Sequence, residues 1–203
     1  MLCAGRSSRT APANKLLALD ATGQPMVVQT LKNILNSKVE TVLALLPLEQ
    51  PKLEAVIRSY FLHALKAGRL QLQTVLNAQS GLSASLHAGV RAAQAGNAQS
   101  LLMCLGDMPL VSTTLLNTLM ETQHHYTPAA TAPIRNGKAG NPVVWNSSQF
   151  SKLLQIQGDQ GGRAILRNPD ADIRLIPANA NELVDFDTPE RLAIYRQITF
   201  PDS

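Results

Sequence analysis

Three groups of residues in this chain have types and spacings that could do chemistry. The first is Leu2-Cys3-Ala4-Gly5-Arg6-Ser7-Ser8-Arg9, followed by Lys15 beside the apolar pair Leu16 and Leu17. Gly5 permits positive backbone dihedrals, so successive N–H groups can converge on one oxyanion. Ser7 and Ser8 add donors, while Arg9 and Lys15 add charge that a phosphate chain can use. The same composition also suits an ordinary N-terminal tail. The second group is Leu101-Leu102-Met103-Cys104-Leu105-Gly106-Asp107-Met108-Pro109, where an apolar strand delivers a carboxylate to its C-terminal end. A hard cation held by phosphates would sit there, since Mg²⁺ takes one or two protein carboxylates and completes its shell with phosphate oxygens and water. A plain Gly-Asp-x-Pro strand exit is the bland alternative. The third is Val184-Asp185-Phe186-Asp187-Thr188-Pro189-Glu190, whose alternation sends both Asp185 and Asp187 to one face of a strand end. Thr188 also reads as a helix cap, with Asp187 favouring the helix dipole.

A cationic Gly/Ser loop, an early-strand carboxylate and a late carboxylate together form the parts of a nucleotidyl-transfer site. In that chemistry the protein positions a triphosphate and neutralises developing charge, with little covalent work of its own.

The elements that must hold these groups follow from periodicity. Thr41–Leu46, Leu70–Leu76 and Ser100–Leu105 read as short strands rich in Leu and Val. Met26–Leu35, Leu53–Leu65 and Leu82–Ala95 read as helices between them, and Leu53, Val56, Ile57 and Tyr60 form one apolar stripe. Strands alternating with helices predict an α/β fold: a mostly parallel, Rossmann-like sheet with helices on both faces. Ligands of such sheets sit beyond the carboxyl ends of the strands, which puts Gly106-Asp107 on the working edge. Only Met1 and Leu2 precede the cradle, too few for a strand of ~5–6 residues, so the first strand is expected to be missing or truncated. After Thr127 the pattern is less regular: short apolar segments at Ala129–Ile134 and Pro142–Trp145, strands around Ile173–Ile176 and Leu183–Asp185, and helices at Ser148–Gln155, near Gly162–Leu166, and from the Thr188 cap through Ile198. The expected organisation is one domain over 1–203, with a nucleotide-binding half (1–126) and an acceptor-binding half (127–203).

Bulk properties exclude several classes. With 203 residues, 45% of them hydrophobic, the chain can bury one sizeable core. Its net charge of +4 is spread rather than gathered in runs, and aromatics are only 4%, so nucleic acid is not the expected partner. Cys3 and Cys104 make neither a disulfide framework nor a metal-ligand spacing and read as buried thiols. No signal peptide or membrane-length apolar run is visible, so the expectation is a cytoplasmic protein without a membrane partner.

The three motifs, with others between them, resemble the MobA-like nucleotidyltransferase family, and within it the molybdenum cofactor cytidylyltransferase branch. Leu2 to Leu17 resembles the family's head, and Gly81-Leu82-Ser83-Ala84-Ser85-Leu86-His87-Ala88-Gly89 its Gly-(Leu/Met)-Ser-x-Ser-Leu-x-x-Gly segment. Gly106-Asp107-Met108-Pro109 matches its magnesium-binding turn, and Asp185 to Glu190 its closing motif. Gly140-Asn141-Pro142 and Gly158-Asp159-Gln160-Gly161-Gly162-Arg163 look like the segments lining its pterin side. The resemblance implies a nucleotide-diphospho-sugar transferase-like fold. It further implies that Ala4, Gly5, Ser7, Ser8 and Arg9 hold the triphosphate, and that Arg9 and Lys15 act at the reacting phosphate. Asn77, Gly81 and Ser83 would lie near base or ribose, Asp107 and Asp187 would hold Mg²⁺, and Asn141, Pro142, Asp159 and Arg163 would face the acceptor. The implied substrates are CTP (or GTP) and a molybdopterin-type cofactor, with a molybdoenzyme as a possible recipient of the product. Cys3-Ala4-Gly5 with Ser7-Ser8 is closer to the cytidylyl than to the guanylyl branch. Thr10-Ala11 stands where the family commonly has Met-Gly, and Gly162 where it commonly has Ala.

Rival readings are a guanylyltransferase, transfer to a sugar phosphate or isoprenoid precursor, and a non-catalytic cofactor-binding chaperone. His124-His125 reads as a solvated helix end and His87 as a surface or packing residue. Trp145 could flank a planar pterin, though a packed sheet aromatic is the simpler reading.

Overall fold

The computed structural model describes residues 1–3, 14–48, 50–76, 81–158 and 161–200. Its architecture follows from period-two burial. Along β1 (Val42–Pro47), Val42, Ala44 and Leu46 enter one apolar cluster while Leu45 enters another on the opposite face. Both faces of the sheet are therefore covered. One cluster is closed by α1 (Met26–Leu35), α2 (Pro51–Tyr60), α5 (Thr113–Tyr126) and α8 (Pro189–Tyr195), the other by α4 (Leu82–Ala95) and α6 (Phe150–Leu153).

β1 pairs in parallel with β2 (Leu70–Val75). A second sheet has the order β3 (Ser100–Met103), β6 (Val143–Asn146), β4 (Ala130–Arg135) and β5 (Lys138–Ala139), with β7 (Ile173–Pro177) parallel to β4. Met1–Cys3 joins the two sheets. Leu2 forms parallel bridges to Leu45 and Leu105, and its N–H donates to the Cys104 carbonyl at 2.8 Å while Cys3 N–H donates to Leu45 at 3.0 Å. Met1 and Cys3 face one cluster and Leu2 the other, so these three residues occupy the slot of a short central strand.

The fold is thus the expected α/β arrangement, with two antiparallel strands in the second sheet: β6 runs antiparallel to both β3 and β4, and β5 antiparallel to β4. Other expectations need correction. Leu53–Leu65 is not one helix but α2 and α3 (Leu62–Lys66), because Phe61 leaves helical geometry and packs against the core. Ser148–Gln155 shortens to a 3₁₀ turn at Ser147–Gln149 and α6. No strand forms at Leu183–Asp185. α7 (Arg163–Leu166) is a single turn. Among the described residues no helix is long and apolar enough to cross a membrane.

Candidate active site

The Gly106–Val111 segment has no regular structure of its own, so its shape comes from groups around it. Gly106 N–H donates to the Leu2 carbonyl at 3.0 Å, and Thr30 Oγ1 on α1 donates to the Gly106 carbonyl at 3.0 Å. A side chain at Gly106 would begin 3.3 Å from Cys3 Sγ and from both Leu16 methyls, so glycine permits the close approach. Asn33 Nδ2 donates to the carbonyls of Pro109 and Val111, each at 2.9 Å. The Asp107 carbonyl accepts from Phe186 N–H at 3.1 Å.

These bonds present the Asp107 carboxylate to Lys15. Lys15 opens a 3₁₀ turn whose cap, Asn14 Oδ1, accepts from Leu16 N–H at 2.9 Å, and Leu16 is buried beneath it. Lys15 Nζ donates to Asp107 Oδ2; the two side chains are only 16% and 12% exposed. The ion pair is therefore largely withdrawn from solvent.

The segment that carries Asp187 is bonded to the same turn through Phe186, by a route the sequence did not predict. The expected strand end is absent, and Asp185 and Asp187 converge instead on one cation: Arg191 Nη1 donates to both carboxylates, reaching Asp187 Oδ1 at 3.3 Å, and to the Asp185 carbonyl at 2.9 Å. Thr188 Oγ1 accepts from Arg191 N–H at 3.3 Å, capping α8, with Pro189 at its first position. Helical spacing of four residues then brings Arg191 back to Asp187. Phe186 is buried edge-on to Tyr195, with centroids 5.2 Å apart, so the acids alternate around an anchored ring.

On the other side of the sheet, Gly81 has φ +100°, a left-handed conformation suited to glycine, and starts α4. Ser83 is buried, and its N–H donates to the Gly158 carbonyl at 3.0 Å. Gly161 lies against Leu82, and a side chain at Gly162 would start 2.3 Å from Trp145 Cζ2. The indole, 2% exposed, is a packed core aromatic, and it accounts for glycine at 162. Asn141 and Pro142 share a cis peptide bond; Pro142 lines a small apolar cavity with Cys104, Leu105 and Met108, beside the Asp107 turn. Arg163 stands exposed at the start of α7. Ala4, Gly5, Ser7, Ser8, Arg9, Asn77 and Asp159 lie outside the described residues.

Cys3 and Cys104 are buried free thiols, pushed up to about 12 by desolvation. His124 and His125 occupy the last turn of α5 as read. Residues not found from sequence are Thr30, Asn33 and Arg191. Arg191 left a signal, a cation four residues after Asp187, whereas Thr30 and Asn33 share α1 with the polar Gln29 and Lys32 and do not stand out.

The donor chemistry fits a hard divalent cation. Asp107 offers a largely buried carboxylate that already faces a positive charge, and Asp187 belongs to the segment hydrogen-bonded to it. Among the described residues no three or more His, Cys, Asp or Glu side chains cluster as a metal cage. A cation held here would draw its remaining ligands from phosphate oxygens and water, as Mg²⁺ does.

The model of the MobA-like NTP transferase domain matches residues 1–174. The chain belongs to this family. It is accordingly a nucleotidyltransferase. The chain is similar to the purine catabolism protein PucB of Bacillus subtilis, with 29% identity over 97% of this chain and 94% of PucB. Among solved structures it resembles Rv0371c of Mycobacterium tuberculosis, with a TM-score of 0.77, 19% identity and coverage of 96% and 94%. A second structure of Rv0371c is a manganese complex (TM-score 0.72, 18% identity, coverage 96% and 95%). It also resembles the molybdopterin-guanine dinucleotide biosynthesis protein A of Archaeoglobus fulgidus, with a TM-score of 0.68, 14% identity and coverage of 96% and 94%. At these identities the structures establish the fold alone.

Proposed function

We propose that this MobA-like nucleotidyltransferase transfers CMP from CTP to the terminal phosphate of a molybdopterin-type cofactor. An oxygen of that phosphate attacks the α-phosphorus of CTP, the bond to the β-phosphate oxygen breaks, and pyrophosphate leaves. Asp107 and Asp187 hold Mg²⁺, which neutralises the charge of the triphosphate. Lys15 and Arg9 stabilise charge at the α-phosphate, and Ala4, Gly5, Ser7 and Ser8 cradle the chain of phosphates. Asn77, Gly81 and Ser83 serve the nucleoside. Asn141, Pro142, Asp159 and Arg163 serve the acceptor, so residues 1–126 bind nucleotide and 127–203 bind acceptor. A molybdoenzyme would receive the product.

One observation carries this reading: Lys15, Asp107 and the Asp185–Asp187 segment, far apart in sequence, meet at one turn beyond a strand end. The choice of CTP rests on the Cys3-Ala4-Gly5 and Ser7-Ser8 head.

The test is pyrophosphate release by the purified protein with Mg²⁺, the pterin cofactor, and CTP or GTP. CTP-dependent release that is abolished in Asp107→Ala is the expected result. Release with GTP alone moves the assignment to the guanylyl branch, and release only with sugar phosphates or isoprenoid precursors replaces the acceptor. Cofactor binding without nucleotide binding, measured by calorimetry, would establish a chaperone instead.

A further inference from the structure

We infer that Asn33 is a positioning residue for the metal-binding carboxylate, acting through the backbone of the Asp107 turn. This rests on the proposed role of Asp107. Asn33 projects from α1 and spends both amide hydrogens on one irregular segment, at the Pro109 and Val111 carbonyls. Its Oδ1 accepts from Gln29 Nε2 at 2.9 Å, whose Oε1 accepts from Gln24 Nε2 at 2.8 Å, whose Oε1 accepts from Lys32 Nζ at 2.6 Å. That chain fixes the amide's orientation, so the donors and not the oxygen face the turn. Thr30, one helical turn earlier, secures the other side of Asp107 at the Gly106 carbonyl.

The carbonyls on both sides of Asp107 are thus held by side chains of one helix, while its own carbonyl is held by Phe186. Met108 and Pro109 are buried, so water does not readily replace these donors. Without Asn33, two carbonyls lose their partners, the turn relaxes, and Asp107 drifts from the position shared with Lys15 and the Asp187 segment.

Titrating MnCl₂ at saturating CTP, by electron paramagnetic resonance of free Mn²⁺, tests this without requiring turnover. In Asn33→Ala the Mn²⁺ dissociation constant is expected to rise about tenfold or more, the effect typical of groups that orient metal ligands. Asn33→Asp keeps the shape but replaces donors with acceptors; it should weaken Mn²⁺ at least as much and covers the case in which the alanine variant does not fold. Thr113→Val is the control. Thr113 Oγ1 donates to the Asn33 main-chain carbonyl at 3.0 Å, so this variant loosens the same helix without touching the turn. It should lower thermal stability and leave Mn²⁺ affinity within twofold. Unchanged Mn²⁺ affinity in both Asn33 variants overturns the positioning role while the metal reading stands, as does a Thr113→Val loss matching theirs. Wild type that binds no Mn²⁺ with CTP or GTP overturns both.

Discussion

Lys15 and Asp107 are 92 residues apart in sequence and share one ion pair, mostly out of water. Removing the ammonium leaves a carboxylate short of water and of counter-charge, so Lys15→Met is expected to cost about 2 kcal/mol of stability. A divalent cation can replace the lost charge. MnCl₂ should therefore raise the melting temperature of the variant more than that of wild type, as thermal denaturation with and without metal would reveal. Equal shifts would mean that the cation binds elsewhere. Asp107 was legible because an apolar run ending in Gly-Asp-x-Pro announces a strand exit, and Lys15 because charge sits beside an apolar pair. Thr30 and Asn33 were not. A polar residue on a helix reads as a solvated face until the neighbouring turn is known, and only the tertiary structure supplies the carbonyls they serve.

Among elements, the start of α7 and β6 are fitted to each other through Gly162 and Trp145. Gly162→Ala would drive a methyl into the Trp145 ring, at a cost of about 1–3 kcal/mol for overpacking. Trp145→Phe removes the atoms it meets, so the double variant should recover part of that loss in urea denaturation; additive losses would refute the contact. Regular elements were the most readable. The spacing predicts α1 and α4 with the bounds observed, since each carries one apolar stripe along its length. The break at Phe61 was hidden, because Leu53–Leu65 keeps its apolar period while one side chain turns into the core. Strand direction was equally hidden: Pro142–Trp145 reads only as a short apolar segment, and the strand it forms, β6, proves antiparallel. The Asp185-Phe186-Asp187 alternation misled for a related reason, since burying Phe186 satisfies the same pattern without a ladder.

For the whole molecule, three titrations point the same way. The Cys3 and Cys104 thiols hold their protons to about 12 in the fold, while unfolded thiols ionise near ~8.5. Tyr195 is also pushed up, first by desolvation and then by Asp20. The unfolded chain therefore releases protons first as pH rises. This contribution to stability is complete below ~8.5 and declines toward 12, by up to about 1.4 kcal/mol per thiol and pH unit. Denaturation curves at pH 8 and 10.5 should differ accordingly, and Cys104→Ala should narrow the gap. At the other end of the chain, Phe186 and Tyr195 bind the closing segment to the core. Phe186→Ala should cost about 3–5 kcal/mol and detach the Asp185–Asp187 stretch from its turn, visible as faster amide exchange there.

The Ser83 amide bonded to Gly158, with Gly161 seated on Leu82, has an evolutionary consequence. A chimaera that crosses over between Thr127 and Pro128 would inherit one side of that joint from each parent. Exchange of the later segment among relatives should therefore carry the opening residues of α4 with it, and grafts that leave Leu82 and Ser83 behind should assemble poorly.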